Sequence, residues 1–450
     1  MSITQLPSPP LVADTTAVFN AKAFALAAAL QQLVSEINAE IPAIDGAYPA
    51  SLISIGSANY KGDWSTLTGA LNIPASCSYG SRIWLLTSNL ANVTTAQPGV
   101  SSSWLDITPT KGAMKNRIIN GGMQIDQRND GAAVTPTASA YTIDRWLAAV
   151  TQASKLTFQQ VADAPAGMKT SLKVTVASQF SPGAADVFSV SQGIEGNNII
   201  DLQFGSAGAL SITTSFQGKS SITGTFACNV QNGSVNRSYV ATYSIPVANV
   251  WTPIVLTIAG DQTGTWATDT SAGMYLTFDL GSGSNYNTTA GAWNAGNLKR
   301  TSGCVSFVNQ TAGATWQLAQ VQLEAGSIAT SWDVRDYGRE LMMCQRYYEK
   351  SYDTATAPGT AATYAGSVFW TMPAFGSFTY QGARFAVPKR AAPTVTMYAP
   401  GTGNSGNVTN MSAGDQAGTA AYISASGFSL ATASGVSNIY SGHFVAVSEI

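Results

Sequence analysis

The chain has 450 residues, 10% of them charged, and a net charge of −2 from 22 basic and 24 acidic side chains. Ordinary soluble domains carry about 25% charged residues. Because no basic excess is present to neutralise a phosphate backbone, nucleic acid is excluded as an expected partner. The length predicts two to four domains. The polar residues are largely Ser, Thr, Asn, Gln and Gly, which favours sheets and tight turns.

The beginning of the chain and its apolar runs give no sign of a membrane segment or a secretory signal. MSITQLPSPPLVAD lacks the basic stretch and apolar stretch of a signal peptide. The longest apolar run, FALAAAL, is far shorter than the roughly 18 residues that a membrane span needs. We therefore expect no membrane insertion, and release by another route, such as lysis, if the protein acts outside the cell.

The next segment, residues 14–40, is predicted to be a helix with coiled-coil character. Apolar residues recur at heptad spacing: Phe19, Ala23, Leu26, Leu30, Leu33 and Ile37. A stripe this short is not stable alone. It needs a helix from another chain or a docking surface on its own chain. We expect self-association, because no later helix in the sequence is obviously available to cover the stripe.

A small Trp-rich β-module is predicted at 43–110. Trp64, Trp84 and Trp104 recur in it at twenty-residue intervals, among short strands such as RIWLL and Gly, Pro and Asn turns. A core of this size depends on a few large side chains, so the three indoles are expected to fill it. Tyr60-x-Gly62-x-Trp64 also resembles the start of small carbohydrate-binding-like modules.

Residues 111–335 are predicted to form a two-sheet sandwich of jelly-roll type. Short runs with alternating apolar residues indicate about ten strands: SLKVTV, NIIDLQF, ALSITTSF, SITGTFAC, SYVATYSI and MYLTFDL are the clearest. Turn sequences such as QNGS and GSGSN separate them. No helical period interrupts this pattern.

A short junction helix is predicted at 336–350, followed by a C-terminal β-domain at 351–450. GRELMMCQRYYEK contains no β-branched residue, and Leu341, Cys344 and Tyr348 share one helical face. These three residues are further candidates for contacts between subunits. Runs such as GFSLA and HFVAVSEI predict strands in the last domain, and GTGNSGNVTN predicts a polar surface loop. The predicted fold class is therefore mainly β.

Several phrases resemble bacteriophage tail-fibre and other receptor-binding fibre proteins. NRIINGGMQIDQRNDG and YTIDRW lie at the front of the sandwich, and WQLAQVQLEAG closes it. Glu340 and the run CQRYY at 344–348 match the junction before the C-terminal domain, and LPSPPLVADTTAVFNAKAF resembles the virion-proximal start of such fibres. Met123-Gln124 departs from the acidic residue that related sugar-binding modules use for structural calcium. Calcium is therefore not expected.

This resemblance implies a fibre in the virion, assembled in the host cytoplasm. Residues 1–42 would anchor it to other virion proteins of the tail, baseplate or collar and start a parallel homotrimer. The jelly roll would resemble a carbohydrate-binding module, and the C-terminal domain would lie at the distal end. The expected function is non-catalytic attachment to host surface polysaccharide or another receptor, strengthened by multivalency.

Binding of sugars requires aromatic faces and nearby amides or carboxylates. The candidate aromatic residues are Trp64, Trp84, Trp104, Trp251, Trp266, Tyr286 and Trp293. Trp266 and Trp293 lie in polar loops, where core packing is a less natural explanation. Each candidate also has a structural interpretation, as a core residue or a subunit contact.

Catalysis and metal binding are not expected. His443 is the sole histidine and lies on the face of a predicted strand shared with Val445 and Val447. A carboxylate pair such as Asp126 with Asp144 could in principle hydrolyse a glycoside, but turn or sheet-edge hydrogen bonds explain both residues better. With one histidine and no CxxC pair, neither a metal site nor a cofactor is predicted.

The four cysteines, Cys77, Cys228, Cys304 and Cys344, are expected to be reduced, partly buried thiols. Cys228 and Cys304 fall in one predicted domain, so theirs is the one disulfide to consider. Three functional alternatives stay open: a neck or head fibre or purely structural shaft, a glycan depolymerase tailspike, and a secreted carbohydrate-binding protein of a bacterium. The absent signal peptide disfavours the last.

Overall fold

The computed structural model describes residues 11, 15–16, 18, 20–22, 25–26, 59–79, 82–106, 114–372, 381–432 and 438–450. The chain divides into two compact units, residues 1–109 and 110–450, which are considered separately below. The described elements are mainly β-strands, as the sequence predicted. No helix in these ranges is long and apolar enough to cross a membrane.

The predicted coiled-coil-like helix at 14–40 gains no support from the structure. Leu26 alone of its apolar stripe is described, and it has helical backbone and a partly exposed side chain. The other five stripe residues lie outside the described residues: Phe19, Ala23, Leu30, Leu33 and Ile37. Self-association through this stripe therefore stays a prediction.

The first unit contains a four-stranded sheet in chain order. Its strands are β1 (Asn59–Asp63), β2 (Ala75–Tyr79), β3 (Arg82–Leu86) and β4 (Trp104–Asp106). The β1–β2 pair is parallel and the other two pairs are antiparallel. Trp104 is buried with Cys77, while Trp64 and Trp84 pack against the same small core. The prediction that indoles fill this core is confirmed.

The second unit contains a two-sheet sandwich. One sheet has five strands, in spatial order β13 (Thr252–Ile258), β10 (Ile212–Ser220), β16 (Thr315–Ala325), β8 (Ser171–Val176) and β7 (Leu156–Val161). The other has seven, in the order β15 (Trp293–Ala295), β12 (Arg237–Ile245), β11 (Gly224–Asn232), β14 (Ala272–Asp279), β9 (Phe188–Glu195), β6 (Trp146–Val150) and β5 (Ala140–Ile143). Both sheets contribute to one apolar core, which confirms the predicted sandwich.

Alternation along each strand decides which side chains enter this core. In β11, Phe226, Cys228 and Val230 are buried in the core between the sheets. Successive side chains of a strand point to opposite faces. Asn229 and Gln231 therefore lie on the outer face of the seven-stranded sheet.

One predicted strand is wrong. NIIDLQF forms short 3₁₀ turns at Gly196–Asn198 and Ile200–Leu202 instead of a strand. Ile199 and Leu202, three residues apart, are buried, whereas Ile200 is 58% exposed. The apolar residues therefore follow the threefold period of a 3₁₀ helix, which a run this short does not distinguish from strand alternation.

The possible disulfide between Cys228 and Cys304 is excluded by their positions. Cys228 belongs to the core between the sheets, whereas Cys304 packs on the opposite side of β11 with Ala227 and Val240. All four cysteines are free and buried. The prediction of reduced thiols is thus confirmed.

After the sandwich, the chain forms helix α1 (Tyr337–Gln345) and a third sheet of eight strands. The strands are β17 (Tyr348–Lys350), β18 (Val368–Met372), β19 (Gln381–Arg384), β20 (Thr394–Tyr398), β21 (Asn407–Asn410), β22 (Gly414–Ser424), β23 (Gly427–Thr432) and β24 (Asn438–Val447). The long strand β24 pairs with β17, β18, β20 and β21 along its length.

Two predictions for this region need correction. The predicted helix 336–350 ends at Gln345, and its last three residues pair as β17 with β24 instead. The predicted polar loop at 401–410 contains β21, in which Val408 and Asn410 are buried. In both cases long-range strand pairing outweighs the local propensity from which the prediction was made.

The candidate subunit contacts of the junction pack within their own chain. Cys344 is fully buried in a cluster with Ile119, Ile125 and Tyr347, and Leu341 packs against this cluster. Tyr348 is 5% exposed. The buried faces of Cys344 and Tyr348 therefore leave no free surface for a second copy of the chain.

Buried charges connect the third sheet to the sandwich. Arg145, after β5, donates to the Glu449 carboxylate, which follows β24. Arg346 donates from Nε and Nη2 to Glu195 at 2.6 and 2.8 Å, and the Tyr347 hydroxyl donates to the same carboxylate. These contacts explain why residues 110–450 form one compact unit.

Candidate functional site

The outer face of the seven-stranded sheet is polar and almost completely recessed. Five uncharged side chains of β9, β11 and β14 make up this polar face: Ser189, Ser191, Asn229, Gln231 and Thr277. None of them is more than 7% exposed. The strand register places Asn229 opposite Thr277, and Thr277 opposite Ser191, so hydroxyl and amide groups form a row across three strands.

A loop at 287–304 forms one wall of the polar face. Leu298 packs against Ala227 and Val240, which are outward-facing residues of β11 and β12. Asn229 Nδ2 donates to the Lys299 carbonyl oxygen at 3.2 Å. These contacts hold the loop over β11 and β12. The loop therefore borders the side chains of the polar face on this side.

The opposite wall is formed by Tyr275 and Ile450. A Cβ atom built on Gly193 would lie 2.9 Å from Ile450 Cγ2 and 3.1 Å from Tyr275 Cε1, so both side chains close over this glycine. The Tyr141 hydroxyl donates to the Ile450 carbonyl oxygen at 2.7 Å, which holds the segment in place. Tyr275 remains partly exposed, and its burial raises the pKa of the phenol.

Three charged groups border the polar face: the strand register places Asp279 opposite Ser189, and it places Gln231, the partner of the Lys299 ammonium, opposite Tyr275. Asp279 accepts hydrogen bonds from the backbone N–H groups of Gly281 and Ser282, and an Arg300 guanidinium nitrogen lies 3.2 Å away. Burial nevertheless raises the pKa of this carboxyl. Lys299 donates to Gln231 Oε1 at 3.3 Å, and burial lowers the pKa of its ammonium to about 8.

The hydrogen bonding of the polar face is incomplete. Asn229 Oδ1 and Ser189 Oγ are buried and have no hydrogen-bond partner within the described ranges. The one carboxylate next to these groups, Asp279, is already paired with Arg300. The face therefore provides hydroxyls, amides and one ammonium, a chemistry suited to binding a polyhydroxylated molecule.

Two open clefts lie elsewhere on the sandwich. One is lined by Ser282, Asn287, Arg300 and Ser306, and so adjoins the Asp279 end of the polar face. The other is lined by Asn120 and Gly121 together with Trp332 and Glu340. Asn120 and Gly121, in the second cleft, belong to the motif NRIINGGMQIDQRNDG, one of those on which the fibre resemblance rests.

Asn120 and Gly121 of this motif have structural roles. Asn120 has a positive φ of 56°, and its side chain exchanges two hydrogen bonds with the backbone of Ile125 and donates a third to the Asp144 carbonyl oxygen. A Cβ atom on Gly121 would lie 2.1 Å from the Val321 carbonyl oxygen. Only glycine fits there, because the backbone of β16 passes at contact distance.

The three candidate indoles of the first unit point into their own module. Their Nε1 atoms donate to backbone carbonyl oxygens: Trp64 to Val93 at 3.2 Å, Trp84 to Tyr79 at 3.1 Å and Trp104 to Ala96 at 2.6 Å. Trp104 is 5% exposed, and Trp64 and Trp84 are partly exposed. Their contacts are those of core residues.

Trp266 and Trp293 are brought together by the fold. Their ring centroids are 5.5 Å apart in an edge-to-face arrangement, and Phe204 and Tyr239 complete the aromatic cluster. Trp266 Nε1 donates to Thr263 O at 3.2 Å, and Trp293 Nε1 donates to Ala259 O at 2.7 Å. The polar loops around them thus conceal a packed aromatic cluster, in which Trp293 is the more exposed ring.

The remaining two candidates lie on different sides of the sandwich. Tyr286 is partly exposed beside the loop wall, where its carbonyl oxygen accepts from the Lys299 N–H at 2.8 Å. Trp251 begins the edge of the five-stranded sheet, and its indole N–H lies near Asp163 without the geometry of a hydrogen bond. Hydrogen bonding from Lys219 is the main cause of the lowered pKa of Asp163.

Groups considered for catalysis take part in structural hydrogen bonds. Asp126 accepts from the N–H groups of Asn129 and Gly131, and Asp144 accepts from Gln127 and pairs with an Arg128 nitrogen at 3.2 Å. The turn hydrogen bonds predicted for them are present. His443 is buried, with its ring nitrogens 2.8 Å from Ser351 Oγ and Thr363 O.

Sequence reasoning missed the polar face itself. Its members are small hydroxyl and amide residues, none of which stands out singly in a chain rich in such residues. One available signal was their placement, since Thr277 alternates with core residues in the predicted strand MYLTFDL. Asn229 and Gln231 continue the alternation of SITGTFAC past its predicted end, and β11 extends to Asn232, into the predicted turn QNGS. Another was the adjacent basic pair Lys299 and Arg300 in a chain with few charges.

Comparisons with known proteins gave similarity to solved structures alone. A scan against family models matched none, and a search of curated protein sequences matched none. Similar solved chains include the enzymatically active domain of tailspike protein 4 of bacteriophage CBA120 (14% identity; TM-score 0.25; 47% of this chain and 21% of that chain). A putative sugar-binding protein from Bacteroides thetaiotaomicron (12%; 0.27; 47% and 100%) is another.

A third similar structure is a family 61 carbohydrate-binding module in complex with β-1,4-galactotriose (9% identity; TM-score 0.24; 47% of this chain and 99% of that chain). The match spans about a fifth of the tailspike chain but almost all of the two sugar-binding chains. TM-scores of this size carry no conclusion about function.

Among the residues that the structure describes, no three His, Cys, Asp or Glu side chains are grouped to hold a metal ion.

Proposed function

We propose that this protein is a non-catalytic glycan-binding fibre protein of a virion and that the polar face is its sugar-binding surface. The observation that carries the proposal is the recessed row of uncharged hydroxyl and amide side chains between two walls. Outer sheet faces are normally either exposed to solvent or covered by apolar packing. A polar face that is neither exposed nor apolar is suited to a polar ligand.

The polar face carries groups of the kind that pair with a sugar. Ser191 is the most exposed member of the face, at 7%, and Asn229 Oδ1 and Ser189 Oγ have no partner within the described residues, so these oxygens can accept from sugar hydroxyls. The Gln231 amide is already occupied by Ser238, Asn297 and Lys299. Tyr275, partly exposed at the edge of the face, offers an aromatic surface for the apolar side of a pyranose. Few charges are needed for such recognition.

The fibre part of the proposal rests on the sequence resemblance. In it, residues 1–42 attach to other virion proteins and a homotrimer presents three copies of the binding face. Because a second and third contact on one surface are intramolecular, weak glycan binding becomes durable attachment. The alternatives are a neck or head fibre or structural shaft, and a depolymerase tailspike.

The binding face can be tested with the full 450-residue protein on a printed array of bacterial capsular polysaccharides and lipopolysaccharide O-chains. We expect binding to a subset of these glycans, lost in Ser191→Trp, whose indole would fill the face. The matched control is Thr257→Trp, an exposed position on the outside of the five-stranded sheet. Equal binding by both folded variants would refute the assignment of this face.

The fibre assignment has its own tests. Sedimentation of the purified protein should give a trimer, and labelled antibody should locate the protein on particles at fibres that contact the host. A monomer would contradict the proposed assembly, and labelling at the neck or head would favour that alternative. Release of reducing ends from a bound polysaccharide would favour the depolymerase.

A further inference from the structure

Lys299 is a buried cation with few partners. It is 8% exposed, and its ammonium has one side-chain hydrogen bond, a long one of 3.3 Å to the uncharged Gln231 Oε1. In the described part of the chain, no carboxylate lies within 4.0 Å of it. Enclosing an ammonium without a countercharge is strongly unfavourable, so such a residue needs an explanation.

The neighbouring charges do not neutralise Lys299. Asp279, the one carboxylate that acts on it electrostatically, is 3.2 Å from Arg300 and accepts two backbone hydrogen bonds. One carboxylate is thus shared between two cations, and the positive charge of Lys299 is left without a partner of its own. Burial accordingly lowers the pKa of Lys299 to about 8.

We propose that the polar face selects glycans bearing a carboxylate, as uronic acids do, and that Lys299 binds this carboxylate. This inference rests on the proposed function, because it names the substrate class of the same face. Gln231 holds the ammonium against β11 and leaves further N–H groups for an anion. Tyr275, partly exposed and opposite Gln231 in the strand register, and Ser191, the most exposed residue of the polar face, then lie nearby for the rest of the sugar.

Binding of a carboxylate to Lys299 should depend on pH. A carboxylate binds the protonated ammonium, so affinity should follow the protonated fraction of Lys299. With the pKa at about 8, binding should be nearly constant below pH 7 and fall about tenfold at pH 9. Binding of a neutral glycan to the same face has no reason to change over this interval.

The experiment compares polygalacturonate, alginate and hyaluronan with their carboxyl-reduced forms, in which each carboxylate has become a neutral hydroxymethyl group. Binding to the full chain is measured by calorimetry at low and moderate salt. We expect at least one acidic polymer to bind at least tenfold more tightly than its reduced form. Lys299→Met should remove this preference, and Lys173→Met, on the outside of the other sheet, should keep it.

The possible results distinguish the selection of carboxylates by Lys299 from glycan binding itself. Equal affinity for acidic and reduced polymers, or an unchanged preference in Lys299→Met, overturns the carboxylate assignment and leaves glycan binding intact. Failure of every acidic and neutral polysaccharide, on the array and here, overturns both. Lys299→Met should unfold at a temperature no lower than wild type, because it removes an unpaired buried charge. A lower temperature would identify Lys299 as a structural support and refute its role in binding.

Discussion

At the residue scale, Arg145 shows how the second unit holds a charge in its interior. Its side chain is 1% exposed, it donates to the Glu449 carboxylate and the Gly193 carbonyl oxygen, and its guanidinium carbon lies 3.4 Å from the centroid of the Tyr347 ring. The backbone of Arg145 has a φ of +73°, a conformation uncommon for residues with a Cβ. The surrounding contacts thus maintain both a buried charge and an unusual backbone.

Removing the charge of Glu449, the partner of the buried Arg145, should destabilise the fold. Glu449→Gln leaves the Arg145 guanidinium enclosed without a countercharge, and we expect a loss of about 3 kcal/mol in the free energy of unfolding. Asp201→Asn is the matched control, because its partner Arg117 is also enclosed, at 7% exposed, but the Asp201 carboxylate is 50% exposed and water can take its place. Its expected cost is below about 1 kcal/mol. Urea denaturation of both variants measures the difference, and equal costs would show that burial does not govern these pairs.

Among the secondary-structure elements, α1 depends on one capping residue. Asp336 precedes the helix with extended backbone, and its carboxylate accepts from the Arg339 N–H at 2.9 Å. Such a cap satisfies one of the N–H groups that have no partner inside a helix. A helix of nine residues has few hydrogen bonds of its own, so the cap matters for its stability.

Asp336→Ala should therefore lower the free energy of unfolding by about 1 kcal/mol. Asp336→Asn should be close to wild type, because asparagine caps helices about as well as aspartate. The midpoints of urea denaturation test this pair. A loss in Asp336→Asn as large as that in Asp336→Ala would mean that the negative charge, and not the hydrogen bond, is what matters.

The elements also show how far sequence reasoning reaches. Strands such as β8 and β11 were predictable, because apolar residues recur in them at alternate positions and enter one core. The end of α1 and the strand β21 were not, because pairing with β24, distant in sequence, helps decide both. The same limit applies to the polar face, which exists because residues of β9, β11, β14 and the 287–304 loop meet in space. The aromatic residues chosen from the sequence were visible singly, but their hydrogen-bond partners were not.

For the molecule as a whole, residues 110–450 are expected to unfold as one cooperative body. The sandwich and the third sheet share the buried pairs Arg145–Glu449 and Arg346–Glu195, together with the cluster around Cys344. A change at Glu449 should therefore loosen both parts. In hydrogen exchange, Glu449→Gln should raise the exchange rates of amides in β14 and in β24 alike. Faster exchange confined to the third sheet would show that the two parts unfold separately.

The pairing of β17 with β24 has a consequence for how this chain can change. Tyr348 faces Val447 across this pair, so a stretch of about a hundred residues begins and finishes at adjacent positions of one sheet. A segment with neighbouring ends can be lengthened, shortened or exchanged without displacing what it is attached to. The segment between β17 and β24 is therefore the natural unit of the third sheet to exchange. Grafting its interior from another chain onto the β17–β24 base is a practical route to hybrid proteins that retain the sandwich.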